Sequence, residues 1–318
     1  MRVLVTGATG LVGHAVLSRA IQDNSFSLRG SVRRLPALLP GNAEAVLVGD
    51  LTHDTDWFAA LRDVNVVVHT AARVHVMRES AVDSLAEFRR VNVDGTLNLA
   101  RQAVASGVRR FVFLSSIKVN GESTLLNRPF TPDDPPNPTY PYAVSKYEAE
   151  EGLRQLGKDT GLEVVIVRPV LVYGPGVKAN FLSMMLWIHT GFPLPFGAIH
   201  NSRSLVAVDN LVDLLATCLK HPAASNQTFL VSDGEDLSTP ELLRRTATAM
   251  HRPARLMRVP ESILRSAAII AGKRDAAERL CGSLRVDIKK TQRLLGWNPP
   301  VSVDQALSQT ARYFFDGK

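Results

Sequence analysis

Short apolar runs alternate with amphipathic helical stretches through the first half of the chain. The runs predict strands at residues 3–5, 28–32, 45–48, 64–69, 110–114 and 163–167. Helices are predicted from residue 11 and over residues 54–61, 84–105 and 142–156. Strands that are apolar without interruption are typical of a parallel sheet with helices on both faces. The pattern therefore predicts a doubly wound α/β fold.

The first turn between a strand and a helix carries Gly7, Gly10 and Gly13 at the spacing G-x-x-G-x-x-G. Glycine permits a tight turn and a close approach of backbone N–H groups, and the N-terminus of the next helix favours an anion. A glycine triplet also occurs in ordinary turns. Here, however, it stands between a strand and a helix, as a pyrophosphate site requires. We therefore predict a dinucleotide-binding Rossmann domain.

The pattern loosens after residue 168. Residues 169–203 are rich in proline and glycine, whereas residues 204–208 and 228–231 read as strands with a helix at 210–219 between them. We predict that the 204–231 unit returns to the sheet, so that the Rossmann domain comprises residues 1–168 and 204–231. Residues 169–203 and 232–318 are then expected to form a smaller C-terminal substrate domain that closes over the cofactor.

Composition narrows the class of protein. Of the 318 residues, 45% are apolar and 21% are charged, which is ordinary for a soluble globular protein. Cys218 and Cys281 lie far apart without metal-ligand spacing, so we expect reduced thiols and no metal site. A first strand at Arg2 leaves no room for a signal peptide, and no uncharged apolar run approaches the about 18 residues of a membrane span. We expect a cytoplasmic protein without a membrane span.

The net charge of +7 raises the question of a nucleic-acid partner. The arginines are spread over many segments, with no basic tail and no interleaved aromatic residues. We therefore expect no nucleic-acid binding, because a binding surface needs a basic stripe or patch. A phosphorylated ligand is another reason for a protein to be basic.

The end of the second strand bears on the choice of cofactor. NAD-dependent proteins carry an acidic residue there to hold the ribose 2′-OH, whereas an arginine accommodates a 2′-phosphate. This chain reads RGSVRR, in which Ser31 can hydrogen-bond a phosphate and Arg33 can pair with it. Arg33 and Arg34 could instead form a solvated loop. The sequence predicts NADP, with NAD as the alternative.

Tyr142 and Lys146 form Y-x-x-x-K at the start of a predicted helix, where residues four apart share one face. An ammonium beside a phenol favours the phenolate, so we predict that Lys146 lowers the pKa of Tyr142 from about 10. The pair can then exchange the proton of an alcohol while hydride moves at its carbon. Ser116 follows the fifth strand and can hydrogen-bond the reacting oxygen. The alternatives without a catalytic role are a surface pair for Y-x-x-x-K and a turn at the end of the strand for Ser116.

Seven motifs follow one another along the chain: TGATGLVG, Asp50-Leu51, HTAA, VNVDGTLNL, SSIKVNG, PYAVSK and RPVLVYGPG. Together they resemble the extended short-chain dehydrogenase/reductase family, in particular its NAD(P)-dependent nucleotide-sugar epimerase/dehydratase group. The resemblance implies a catalytic centre of Ser116, Tyr142 and Lys146. It implies that Asp50 and Leu51 meet the adenine, and that Lys146 also holds the nicotinamide ribose. The other implied cofactor contacts are Gly7, Thr9, Gly10, Leu11, Val12, Gly13, Ala71, Ala72, Asn92, Tyr142 and Pro169, beside Ser31 and Arg33.

The resemblance also implies contacts to the substrate. Arg203 matches the arginine that grips the nucleotide diphosphate in this group, and Lys118 and His75 fall at substrate-side positions. His75 could equally be a packed histidine. Asn180 matches a residue on the diphosphate side, although a helix N-cap is an equal alternative.

Three departures from the family pattern shape the functional hypothesis. The usual V-Y-G after the catalytic serine is Val119-Asn120-Gly121. Ile117-Lys118 stands where 4,6-dehydratases carry Asp-Glu, so we reject a dehydratase. The R-x-G-D of many sugar epimerases is missing ahead of Asp287. That region leaves Arg274, Arg279 and Arg285 as unplaced candidates for contacts to the nucleotide.

These observations favour NADPH-dependent reduction of a 4-keto UDP-sugar. SSIKVNGE and GPGVKANFLSM resemble the bacterial 4-reductases of UDP-4-keto-6-deoxy-N-acetylglucosamine in surface-polysaccharide synthesis, which are often labelled UDP-glucose 4-epimerases. A UDP-glucose or UDP-N-acetylglucosamine 4-epimerase is the main alternative, and a non-catalytic NADP sensor or scaffold is a third. The resemblance further suggests a homodimer through two long helices.

Overall fold

A sheet of seven parallel strands forms the centre of the protein in a computed structural model that describes residues 1–20, 26–41, 43–74, 83–272 and 274–316. The strands, in chain order, are β1 (Arg2–Thr6), β2 (Ser27–Val32), β3 (Glu44–Leu47), β4 (Val66–His69), β5 (Arg110–Leu114), β6 (Glu163–Pro169), β7 (Leu171–Tyr173), β8 (Arg203–Ala207), β9 (Thr228–Val231) and β10 (Asp236–Leu237). The large sheet has the order β3-β2-β1-β4-β5-β6-β9, so the direction of winding reverses beside β1. Ligands of such sheets bind at the carboxyl ends of the strands at this reversal.

Helices cover both faces of the sheet. They are α1 (Leu11–Ala20), α2 (Phe58–Leu61), α3 (Ser84–Arg89), α4 (Thr96–Ala105), α5 (Pro141–Thr160), α6 (Ala179–Thr190), α7 (Val208–Lys220), α8 (Thr239–Ala249), α9 (Glu261–Ile270), α10 (Arg274–Cys281), α11 (Lys289–Leu295) and α12 (Val303–Asp316). Val3 and Val5 pack into one core with residues of α1 and α7, whereas Leu4 packs on the opposite face with residues of α4 and α5. Successive strand residues point to opposite faces, and both faces are buried, which explains the uninterrupted apolar runs. The predicted doubly wound fold is confirmed.

The predicted strand at residues 204–208 does not return to the large sheet. It is β8, which pairs with β7 in parallel and with β10 in antiparallel orientation in a separate three-stranded sheet. Only β9 joins the large sheet, beside β6. Pro169 ends β6 and has no N–H to extend that ladder, so the chain leaves the sheet and β7 becomes the partner of β8. The domain boundaries given above stay a prediction.

Two predicted helices are altered. Only residues 58–61 of the predicted helix 54–61 are helical, as α2. The predicted stretch 84–105 is divided by a π-helical turn, Arg90–Gly95, between α3 and α4. A Cβ on Gly95 would lie 2.8 Å from Cγ of Leu51 and 3.0 Å from its carbonyl oxygen, so only glycine allows this close approach. Such π-helical turns are frequent at functional sites.

The C-terminal residues pack around the small sheet. Their core includes Tyr173, Phe181, Leu205, Leu243 and Phe314 from strands β7 and β8 and helices α6, α8 and α12. In the part of the chain that the structure describes, none of the helices is long and apolar enough to cross a membrane.

Candidate active site

The predicted site residues follow the carboxyl ends of neighbouring strands. Gly7 follows β1, Asp50 lies beyond β3, Ala71 follows β4 and Ser116 follows β5, while Pro169 ends β6. Parallel strands bring these ends to one edge of the sheet, so the predicted cofactor-binding and catalytic residues lie along that edge. The switch in strand order beside β1 lies at the same edge.

The glycine turn has the geometry that a pyrophosphate needs. Gly7 has a φ of +67°, and its carbonyl oxygen accepts a 2.9 Å hydrogen bond from the N–H of Gly10. A Cβ on Gly13 would lie 2.2 Å from that same oxygen, so α1 can pack against the turn only with glycine. A Cβ on Gly10 would meet, among the described residues within 4 Å, only this oxygen, at 3.2 Å. The exposed side of the turn, with Thr9 and Gly10, is thus free for a close ligand.

A buried histidine, His69, connects the carboxyl ends of β1 and β4 next to the glycine turn. The ring of His69 bonds the hydroxyl of Thr6 at 2.7 Å through Nδ1 and the hydroxyl of Thr96 at 2.9 Å through Nε2. Burial and, to a smaller extent, the positive charge of Lys146 lower the pKa of His69 to about 3, so the ring stays neutral. The hydroxyl of Thr6 also accepts the N–H of Ala71 at 3.2 Å. His69 begins the HTAA motif, which indicates the family but no role for this ring, so His69 is not among the predicted site residues.

Asn92 lies in the π-helical turn and fixes the segment that follows Ala71 and Ala72. Its side chain accepts the N–H of Arg73 at 2.8 Å and donates to the Arg73 carbonyl and to Oγ of Ser145, both at 3.0 Å. These bonds direct the amide to protein groups, so Asn92 positions the half-buried Ala71–Ala72 edge. A direct contact of Asn92 with the cofactor stays a prediction.

The end of β2 is basic and open. Ser31 is buried, whereas the side chain of Arg33 is 79% exposed. A guanidinium nitrogen of Arg33 lies 3.9 Å from a carboxylate oxygen of the equally exposed Asp50, a contact that contributes little in water. Leu51 is half-buried against Gly95. The guanidinium of Arg33 is therefore available to a phosphate.

The structure brings the three predicted catalytic residues together. Tyr142 and Lys146 lie in the first two turns of α5. Ser116 caps a 3₁₀ turn, Ile117–Val119, by accepting the N–H of Lys118 at 3.2 Å, and its side chain acts to lower the pKa of Tyr142. The ammonium of Lys146 is buried 3.9 Å from the ring centre of Phe113, and it makes no hydrogen bond to the described residues. A buried donor of this kind fits the hydroxyl groups of a cofactor ribose.

Burial corrects the predicted effect of Lys146 on Tyr142. Tyr142 is half-buried in the cavity wall, and desolvation of its hydroxyl raises the pKa to about 12, against a smaller lowering by the hydrogen bond with Ser116. Desolvation likewise lowers the pKa of Lys146 to about 7, while Glu150 raises it. The predicted lowering of the Tyr142 pKa is therefore wrong here, since desolvation favours the neutral form of both groups.

A cavity of about 540 Å³ opens beside Tyr142. Its charged and aromatic lining residues are Phe88, Lys118, Glu122, Tyr140, Arg203, Arg265, Glu278 and Arg279. Arg203 donates to the carbonyl oxygens of Arg279 and Gly282, both at 2.9 Å, which ties β8 to the end of α10. Desolvation lowers the pKa of Arg203, and the nearby carboxylate of Glu122 opposes this.

Of the unplaced arginines, only Arg279 lines the cavity. Arg274 pairs with Glu278 at 3.1 Å on the surface, and Arg285 pairs with Asp236 at 2.6 Å. Arg265 of α9 also lines the cavity and was not predicted, because no motif surrounds it.

Of the predicted substrate residues Lys118 and Asn180, the first lies in the cavity lining and the second does not. Lys118 lines the cavity and forms an ion pair with Glu122. Asn180 is exposed in the first turn of α6, outside the cavity lining, and it is not the N-cap, which is Lys178. His75 lies outside the described residues. The contact proposed for Asn180 therefore has no support from the cavity.

Comparison with known proteins defines the class. Residues 3–232 match the NAD dependent epimerase/dehydratase family. A UDP-glucose 4-epimerase of Vibrio cholerae is 46% identical over 313 residues, covering 98% of this chain and 95% of the relative. This chain therefore belongs to the NAD dependent epimerase/dehydratase family of extended short-chain dehydrogenases/reductases. It is an enzyme of that family, which sets aside the non-catalytic hypothesis.

Solved structures agree on the fold. A UDP-glucuronic acid 4-epimerase from Bacillus cereus in complex with NAD is 19% identical with a TM-score of 0.80, and 99% of each chain is covered. MoeE5 in complex with UDP-glucose and NAD is 23% identical with a TM-score of 0.80, covering 100% of this chain and 99% of the other. The shared fold spans the whole chain, including the region beyond the large sheet.

Proposed function

We propose that this enzyme reduces the 4-keto group of a UDP-sugar with NADPH. The observation that carries the proposal is the basic end of β2, where Ser31 and the exposed Arg33 stand in place of an acidic residue. Such an end suits a 2′-phosphate. A net reductase must draw on reduced cofactor in every cycle, whereas an epimerase gains from keeping one oxidised cofactor bound.

The catalytic residues suit proton delivery to carbon 4. NADPH, when bound, supplies the hydride. Tyr142 keeps its proton at neutral pH, because its pKa is about 12, and can donate it to the oxygen of carbon 4. Ser116 can bond the same oxygen, since its side chain is close enough to Tyr142 to act on the pKa of that residue. Lys146 has a buried ammonium that can hold the nicotinamide ribose and stabilise the phenolate left on Tyr142.

The arginines of the cavity suit the diphosphate of a UDP-sugar. Arg203, Arg265 and Arg279 reach the same cavity from β8, α9 and α10. Guanidinium groups bind phosphate oxygens through charge-assisted hydrogen bonds. Arg279 can thereby supply a contact to the nucleotide in the region where many epimerases carry the R-x-G-D motif.

A UDP-hexose 4-epimerase is the second candidate. It is favoured by the 46% identity with the Vibrio cholerae protein named UDP-glucose 4-epimerase and by the NAD in the solved neighbours. Both reactions use the same three catalytic residues, so the active centre does not discriminate between them. Cofactor preference and consumption do.

The cofactor preference is tested at Arg33. We expect the wild type to bind NADPH more tightly than NADH. Arg33→Ala should weaken NADPH binding about ten-fold or more and leave NADH nearly unchanged, because a charge-assisted phosphate contact contributes about 1.5–3 kcal/mol. Both cofactors are titrated by nicotinamide fluorescence, with Arg2→Ala, on the amino-terminal side of β1, as the matched control. Equal affinities of the wild type for the two cofactors would contradict the NADPH assignment.

The diphosphate assignment is tested at Arg279. Arg279→Gln should raise the KM for a UDP-sugar about ten-fold or more, through loss of a charge-assisted contact, with a smaller effect on kcat. Arg274→Gln is the control, because Arg274 lies on the same helix but pairs with Glu278 on the surface. An unchanged KM in Arg279→Gln would remove this arginine from the site.

A further inference from the structure

Glu150 is a fully buried carboxylate that joins the elements carrying the proposed catalytic residues. It lies on α5, one turn after Lys146, and its side chain is 0% exposed. It accepts a hydrogen bond from Oγ of Ser115 at 2.5 Å, and Ser115 directly precedes Ser116 at the end of β5. It also accepts two bonds from Arg168 of β6, from Nε at 2.9 Å and from Nη2 at 2.5 Å.

Arg168 extends this network to the far end of the Ser116 turn. Its Nη1 donates to Oδ1 of Asn120 at 2.9 Å, and the amide of Asn120 donates to the carbonyl of Thr131 at 2.9 Å. Asn120 ends the 3₁₀ turn that Ser116 begins. It is also the residue that replaces tyrosine in the usual V-Y-G. The Glu150–Arg168 pair therefore holds the turn at both ends, through Ser115 and through Asn120.

The charge of Glu150 acts on Lys146. The groups that face the two side chains are His69 of β4 and Phe113 of β5 toward Lys146, and Ser115 of β5, Arg154 of α5 and Arg168 of β6 toward Glu150. None of these facing groups is an anion, so Glu150 supplies the negative charge next to Lys146. Desolvation lowers the pKa of Lys146, and Glu150 opposes that change.

Stability alone does not explain such a buried pair. Removing two charges from water costs more than their attraction returns in many proteins, and well-packed apolar residues often replace them without loss. The network must therefore be judged by its effect on the neighbouring groups. Here those neighbours are Lys146 on one side and the Ser116 turn on the other.

We propose that Glu150 is a positioning residue, which fixes the turn bearing Ser116 through Ser115, Arg168 and Asn120 and favours the ammonium form of Lys146 over the neutral amine. This inference rests on the roles proposed above for Ser116 and Lys146. Glu150 itself touches neither substrate nor cofactor in this account, because its carboxylate is committed to protein donors.

The test is Glu150→Gln, which keeps the shape of the side chain and removes its charge. Glu151→Gln is the matched control, since Glu151 is the next residue and forms a surface pair with Arg154. The affinity for NADPH is measured from below pH 6 to above pH 9, without any sugar. In Glu150→Gln the midpoint of its pH dependence should move to lower pH by about one unit or more, because the ammonium is lost earlier. Glu151→Gln should keep the wild-type midpoint.

Turnover gives the second readout. Glu150→Gln should lower kcat about ten-fold or more at neutral pH with a smaller change in KM for the sugar, whereas Glu150→Asp, which keeps the charge, should retain the wild-type midpoint. If Glu150→Gln does not fold, as judged by its thermal transition, Ser115→Ala takes its place and should lower kcat several-fold. A folded Glu150→Gln, or in its absence Ser115→Ala, with wild-type kcat would overturn the inference. Absence of turnover in the wild type would instead contradict the proposed function, and the cofactor titration would still test Glu150.

Discussion

Replacing Tyr142 by phenylalanine should lower turnover about 10²–10⁴-fold while the dissociation constant for cofactor stays nearly unchanged. Phenylalanine keeps the ring, which packs edge-to-face with Phe88 at a centroid distance of 6.1 Å, but it has no proton to give. Steady-state rates and a fluorescence titration of cofactor measure the two quantities separately. Because the pKa of Tyr142 is about 12, the loss should be present throughout the neutral range.

Two further variants are compared with Tyr142→Phe. Tyr147→Phe is the control, because Tyr147 lies on the same helix but outside the cavity lining. It should keep wild-type turnover. Ser116→Ala should be milder than Tyr142→Phe, since the serine orients and polarises without supplying the proton. If Tyr142→Phe retained most of the activity, Tyr142 would not be the proton donor.

Replacing Lys146 by methionine should lower both turnover and cofactor affinity, each by about ten-fold or more. The buried ammonium is expected to serve the ribose and the phenolate together, and each charge-assisted contact contributes about 1.5–3 kcal/mol. The pKa of Lys146 is lowered to about 7, so its charge is present below that pH and lost above it. Wild-type affinity for cofactor should therefore fall as the pH rises through about 7, and Lys146→Met should lose that dependence.

Lys158 offers the matched control for this variant. It lies near the end of the same helix and is exposed, so Lys158→Met should bind cofactor with the wild-type pH dependence. A Lys146→Met protein that bound cofactor as tightly as the wild type would contradict the ribose contact. The proton transfer by Tyr142 would still be tested separately by the turnover of Tyr142→Phe.

The large sheet could be predicted because local pattern and tertiary burial agree. Val3, Leu4 and Val5 are apolar without interruption, and the structure buries all three between two helical layers. The glycine turn was predictable for a similar reason. Gly7 has a positive φ, and a Cβ on Gly13 would lie 2.2 Å from the carbonyl oxygen of Gly7. Both positions therefore require glycine, and the spacing of the glycines is visible in the sequence.

What could not be predicted depends on contacts between distant residues. An apolar run such as β8 fits either sheet, and its place is decided by the partners β7 and β10. The pKa of Tyr142 follows from desolvation, which a spacing of four residues does not reveal. Arg265 reaches the cavity only because α9 packs beside it, and no motif marks it. Arg279 could be named only as one of three candidate arginines, because its place in the cavity depends on how α10 packs.

The central claim, net reduction at carbon 4, is tested most directly by following the hydride. The protein is given UDP-4-keto-6-deoxy-N-acetylglucosamine with NADPH that carries deuterium at the transferable position of the nicotinamide. The account predicts one NADPH consumed for each sugar reduced, with the deuterium found at carbon 4 of the product by mass spectrometry and NMR. UDP-glucose and UDP-N-acetylglucosamine are offered in parallel without added cofactor. Interconversion of gluco and galacto sugars by protein that retains NAD⁺, with no deuterium transferred to the keto sugar, would contradict the account.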